Sequence, residues 1–274
     1  MGRVLTELRK CHGSPYMVRR SQIFLRPRKS GKCRVIRRLN PLKARCANWI
    51  VLHTPMPKWL KMCVGILLLP VCLATIKALW LVLTQTGVDA ATRIWLPLLA
   101  GAACWLVVFL LLPKPMWIYV LGHESTHAVW TWLFGGKVKR FKATSSGGHV
   151  VSTRSNFLIT LAPYFFPFYA VAVVLVFIVG DLLWNWRHAY LPWFHLLLGA
   201  AYAFHVTLTV EILKYRQSDI TSQGYLFSAV VIFLGNALVL LASVPLLTGH
   251  ELYYAVRCWF DCNHDIILRV ARLL

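Results

Sequence analysis

Apolar residues fill long uninterrupted stretches of this chain between about residues 62 and 247, and short polar or proline-bearing segments cut them into pieces of similar length. A helix needs about 20 mostly apolar residues to cross the hydrocarbon core of a bilayer, and about six runs reach or approach that length. The first covers about 62 to 84 and ends at Thr84-Gln85-Thr86-Gly87. The second covers about 95 to 112 and stops at Pro113-Lys114-Pro115, where the prolines end or kink a helix. The third runs from Met116 to Phe134 and closes at Gly135-Gly136. Three more lie at about 157 to 179, 190 to 213 and 225 to 247, separated by residues 181 to 188 and by a polar loop from Lys214 to Gln223.

One interval follows another rhythm. Between residues 137 and 156, Lys137, Lys139, Arg140, Lys142 and Arg154 alternate with Val138, Phe141, Val150 and Val151 around Ser145-Ser146-Gly147-Gly148. Period-two patterning about a glycine turn predicts a β-hairpin. In the tail, Leu252, Val256, Trp259, Ile266, Val270 and Leu273 recur near helical spacing with arginines between them, which predicts an interfacial or a docked helix. The expected architecture is an all-α polytopic membrane protein, integral and multi-pass, with a short membrane-associated hairpin after the third span. Four segments result: a basic extramembrane stretch at 1–61, accessory spans at 62–115, a core at 116–247 and an amphipathic tail at 248–274.

Composition agrees, since 58% of the residues are hydrophobic and 14% charged, too apolar for an ordinary soluble domain. The net charge of +21 is concentrated at the start, where residues 1–61 are dense in Lys and Arg and hold one acid, Glu7. Such a segment is expected to stay cytoplasmic, and it suits anionic lipid headgroups. It lacks the aromatic interleaving of a nucleic-acid platform, and an organelle transit peptide is the other reading of an Arg-rich, acid-poor start. Positive charge also raises a parity conflict. Three full spans between the basic start and the basic hairpin would put them on opposite sides, unless one early segment is re-entrant or lies flat.

The eight cysteines form neither a disulfide framework nor paired Cys-x-x-Cys knuckles, and read as free thiols. Cys258, Cys262 and His264 are close in sequence, but their spacing is unorthodox for a metal site.

The chemistry lies in Gly122-His123-Glu124-Ser125-Thr126-His127, within the third apolar run. Residues four apart on a helix lie almost above one another, so His123 and His127 can meet one zinc ion while Glu124 stands to the side as a general base. Zinc brings the pKa of its water towards neutrality, to about 7, which makes hydrolysis by a Glu-assisted hydroxide available. A Glu within an apolar run needs a partner or a purpose. Packing glue between helices is the non-catalytic reading. His250-Glu251-Leu252-Tyr253 is a decoy, because Tyr254 stands where the second histidine belongs. A third zinc ligand must come from elsewhere. Among the nine acids Asp219 is the favoured candidate, with Glu211, His149, His195 and His205 as alternatives. Asp219 can also serve as a helix N-cap, Glu211 as an ion-pair partner of Lys214 or Arg216, and His205 as a bundle histidine or a partner of a ligand.

A membrane-embedded His-Glu-x-x-His, a Gly-Gly pair, a basic hairpin, a Pro-containing span, and Ser218-Asp219 followed by Gly224-Tyr225-Leu226-Phe227-Ser228 resemble the site-2 protease family of intramembrane zinc metalloproteases, small bacterial-type members above all. The resemblance covers about residues 116 to 235. It implies one zinc per chain held by His123, His127 and Asp219, Glu124 as general base, a hairpin that presents substrate by strand addition, and a membrane protein or peptide as substrate. Two departures stand out: Ile220 replaces the family's Gly after the third ligand, and Leu161 to Pro167 lacks the usual Asn. His149, Asn156 or His205 are left as candidates for oxyanion or substrate contacts, although Asn156 is also placed to cap the next helix. The rival functions are a membrane-anchored zinc protease acting on soluble or misfolded proteins, and a non-catalytic scaffold or transport protein.

Overall fold

The structure, a computed structural model, describes residues 56–87, 90–144 and 147–272. The basic stretch up to residue 55, the turn residues Ser145 and Ser146, and Leu273 lie outside them.

Nine α-helices and one hairpin make up the described residues. Helix α1 spans Lys58–Thr84, and α2 spans Leu96–Leu111 behind a π-helical turn at Ala91–Trp95. The motif helix α3 is Met116–Leu133, followed by β1 (Val138–Thr144) and β2 (Gly147–Ser152). Helix α4 (Phe157–Leu161) and a 3-10 turn at Ala162–Tyr164 lead to α5 (Phe168–Trp184) and α6 (Trp186–Leu213). The short α7 (Ser218–Gln223) precedes α8 (Tyr225–Thr248) and α9 (Leu252–Ala271).

Local chemistry sets the boundaries. Pro113 and Pro115 separate α2 from α3 as expected. At the far end of α3, Gly135 adopts a left-handed φ of 69°. The Gly136 N–H bonds the Thr131 carbonyl and the Gly135 N–H the Trp132 carbonyl, both at 2.8 Å. These paired bonds define a Schellman cap, which satisfies the last carbonyls of α3 and turns the chain into β1. The hairpin is antiparallel, with Phe141 opposite Val150 and Thr144 opposite Gly147, and it carries an irregularity between Val138 and Arg140. Asn185, at φ 54°, breaks what would otherwise be one helix into α5 and α6.

Among the described residues the expected six spans reduce to four, or at most five. Helices α1, Ala91–Leu111, α6 and α8 are long and apolar enough to cross a membrane. The fourth predicted run is a bent pair, Phe157–Tyr164 and Phe168–Trp184, with 81° between its halves. Pro163 and Pro167 account for the break, since neither can donate a helical hydrogen bond. The motif helix α3 does not qualify, because His123, Glu124, Ser125, Thr126 and His127 fall in the middle of its 18 residues. Among the described residues two qualifying helices precede the hairpin, and the basic N-terminal stretch on which the parity argument turns lies outside them.

Apolar side chains on the outer surfaces explain why so polar a helix can lie inside. Leu67, Leu110 and Leu182 are 75%, 76% and 80% exposed, an arrangement that suits lipid rather than water. Helices α2 and α6 meet backbone to backbone: a Cβ on Gly101 would stand 1.8 Å from the Leu196 carbonyl oxygen, and one on Gly199 1.9 Å from that of Leu98. Reciprocal small residues of this kind let membrane helices approach closely. The tail is a docked helix: Ala255 and Cys262 of α9 are buried with Ala74, Ala78 and Val82 of α1 and Leu241 and Val244 of α8. Trp259 donates from its indole to Thr75 at 2.8 Å, which fixes the rotation of α9.

Candidate metal centre

Helix α3 is the axis of the site. On one side Tyr119 and Val120 pack with Phe204 and Leu208 of α6, and on another Trp130 meets Phe165 and Phe166 edge-on. Between these contacts the motif residues face a cavity of about 380 Å³ lined by His123, Glu124, His127, Asp219, β2 and the Ile159–Thr160 turn of α4.

His123, His127 and Asp219 converge so that one ligand atom from each lies within 4.8 Å of the others, and they form the one such group among the described residues. His123 Nε2 and His127 Nε2 each stand 3.5 Å from Asp219 Oδ2. That separation is long for a charge-assisted hydrogen bond, which runs about 2.7–2.9 Å. Ligand atoms held about 2.0–2.1 Å from a tetrahedral zinc, by contrast, stand roughly 3.4 Å apart. The two distances from Asp219 therefore fit ligands around an ion better than they fit direct hydrogen bonds.

Tautomers agree with this reading. His127 Nδ1 lies 2.8 Å from the Ile159 carbonyl oxygen. A carbonyl only accepts, so Nδ1 carries the proton and Nε2 keeps its lone pair for a metal. Asp219 sits in the first turn of α7, and its Oδ2 accepts a hydrogen bond from the Tyr164 hydroxyl at 3.3 Å. Tyr164 is 1% exposed and presents its ring edge to His123 at a right angle. Its own backbone is tied down by Asn236 of α8, which donates to the Tyr164 carbonyl at 3.1 Å.

Glu124 is 6% exposed and points at the hairpin. A Cβ on Gly148 would come within 2.6 Å of Glu124 Cγ and of the Lys142 carbonyl. Glycine is thus what lets β2 approach the carboxylate.

The other candidates separate. His149 lines the cavity with Glu124. Asn156 is a helix cap, its side-chain oxygen accepting the Ile159 N–H at 2.8 Å. His205 is buried at 7% exposure and lines a small second cavity with His123. Glu211 is committed to Lys114 at 2.7 Å and Lys214 at 2.8 Å, and its bond holds the Lys214 ammonium above the ordinary lysine range. His195 bonds the Arg93 carbonyl through Nδ1 at 3.2 Å, away from the site. The decoy His250 pairs with Thr248, and Cys258 and Cys262 are free thiols on α9.

Sequence reasoning missed Tyr164 and the Ile159 carbonyl. Tyr164 lies in an aromatic, proline-bracketed run that reads as core, and a backbone carbonyl leaves no trace in side-chain patterns.

Comparison with known proteins finds no matching family model, curated protein or solved structure. Fold and site together define a largely helical protein with membrane-length apolar helices and a half-buried His-His-Asp group able to hold a divalent metal ion.

Proposed function

We propose that this chain is a zinc-dependent intramembrane endopeptidase, a relative of the site-2 proteases, that hydrolyses peptide bonds in or near membrane-spanning segments. The observation that carries the proposal is the placing of Glu124 beside the His123, His127 and Asp219 ligand group, in a cavity with a strand along its wall. Three protein ligands leave a tetrahedral ion one open position, which is the composition of a catalytic rather than a structural zinc site. Bound zinc would supply a Lewis acid and a water acidic enough to lose its proton near neutral pH.

The remaining roles belong to the chain's own residues. Glu124 accepts the proton from the attacking water and returns it to the leaving amine. Gly147, Gly148, His149 and Val150 line the cavity consecutively, as a strand edge does and a strand face, with every second side chain, does not. An unwound substrate segment can pair with that edge, which satisfies its backbone in a place short of water. His149, on the same wall, is the donor we assign to the developing oxyanion.

The test is Glu124→Gln in purified full-length protein, with zinc content measured beside cleavage of a co-expressed membrane substrate. Zinc should stay stoichiometric while cleavage falls by about 10²–10⁴-fold, the usual worth of a general base. Cleavage at the unmutated rate would refute the mechanism.

A further inference from the structure

Beside the main cavity, and sharing Tyr119 and His123 with it, lies a second cavity with about 20 Å³ of room for a water-sized sphere. Tyr119, His123 and His205 all line it. Tyr119 Oη, His123 Nδ1 and His205 Nε2 are buried, none makes a well-formed hydrogen bond among the described residues, and the one polar neighbour of Tyr119 Oη is the equally buried Thr209 hydroxyl. Three buried polar atoms left open around one small space are costly, because each forfeits its hydration without a replacement bond. A buried water needs roughly 10–15 Å³ and typically makes about three hydrogen bonds, which matches both the volume and the number of open atoms here.

We infer that a single structural water occupies this cavity and that His205, acting through it, is a positioning residue for the metal ligand His123. The inference rests on the metal-site reading above. If His123 offers Nε2 to the ion, its Nδ1 must carry a proton, and that proton needs an acceptor to fix the ring. His127 has such an acceptor in the Ile159 carbonyl, whereas His123 has none among the described residues. The water accepts from His123 Nδ1–H and from the Tyr119 hydroxyl, and donates to His205 Nε2. His205 is thereby held as the neutral Nδ1–H tautomer. The two histidine ligands are then anchored alike, one by backbone and one by a water-bridged side chain on α6.

Zinc affinity measured by chelator competition, on the full chain in detergent, tests the bridge. His205→Leu should weaken binding about 10–100-fold, the usual effect of losing a ligand's outer partner. His205→Gln keeps an acceptor and should restore most of it. In the zinc-loaded wild type, ¹⁵N NMR of the histidines should find His205 in the Nδ1–H form, a readout that does not depend on any variant folding. Wild-type affinity in His205→Leu, equal loss in the Leu and Gln variants, or a His205 protonated at Nε2 overturns the bridge while leaving the ligand group intact. Retention of zinc by His123→Ala overturns the metal-site reading itself, and the bridge with it.

Discussion

Asp219 occupies an exposed turn of a short helix, yet its carboxylate must hold one position for an ion to find three ligands. Tyr164 is what holds it in the protein: the phenol is buried, donates to Oδ2 at 3.3 Å and is braced through its carbonyl by Asn236. Tyr164→Phe removes the hydroxyl and leaves the aromatic packing, so the fold should persist and zinc affinity should fall about tenfold, the low end for an outer-sphere partner. Isothermal titration of zinc into the two proteins decides it, and equal affinities would remove Tyr164 from the site. The histidines and Glu124 were legible in the sequence because their geometry is local: a helix converts spacing directly into a shared face. Asp219 was legible by scarcity, since few acids were eligible, and Glu211 lost its claim once Lys114 was seen to occupy it. Tyr164 was not legible, because its partner is 55 residues away and nothing in Leu161 to Pro167 marks one aromatic as polar in function.

At the scale of elements, the contact that matters most for the proposed chemistry is between β2 and α3. Gly148 lets the strand lie against Glu124 with no room for a methyl group, since a Cβ would sit 2.6 Å from Glu124 Cγ. Gly148→Ala must push the hairpin outward or turn the carboxylate aside. A displacement of about 1 Å at a reacting group can cost on the order of 10²-fold in rate. Cleavage by Gly148→Ala should therefore drop by about that factor with zinc content unchanged, and full activity in this variant would show that the strand is not part of the site. Hairpin and helices were readable from their two periodicities, and the Gly135–Gly136 stop of α3 was readable from residue type alone. The number of crossings was not. A run of apolar residues does not reveal that Pro163 and Pro167 fold it by 81°, nor that α3, diluted by its own motif, falls short of the apolar character of a membrane span.

In the molecule as a whole, the metal group joins parts that are otherwise loosely connected. Two of the candidate ligands belong to the central helix α3, while the third belongs to α7, which has no buried residue of its own. Besides its link to Tyr164, α7 is tied to the bundle by a hydrogen bond from Lys61 to Gln223 at 2.5 Å, by one from Ser228 to the Ile220 carbonyl at 3.3 Å, and by the packing of the partly buried Ile220 against the cluster of Leu161 and Phe227. An ion bound by all three residues in the folded state, and by none of them together in the unfolded state, stabilises the fold by mass action. At free zinc a hundredfold above Kd the gain is about 2.7 kcal/mol. For a domain of this size that corresponds to a rise in Tm on the order of 5–10 °C. Thermal unfolding in detergent should show this difference between zinc-loaded and chelator-stripped protein. Asp219→Ala should unfold at one temperature in both conditions, because the two remaining histidines sit on a single helix and an ion bound there ties nothing to α7. A zinc-dependent rise of the same size in Asp219→Ala would mean that the metal stabilises the bundle through some other ligand, and that α7 does not close the site.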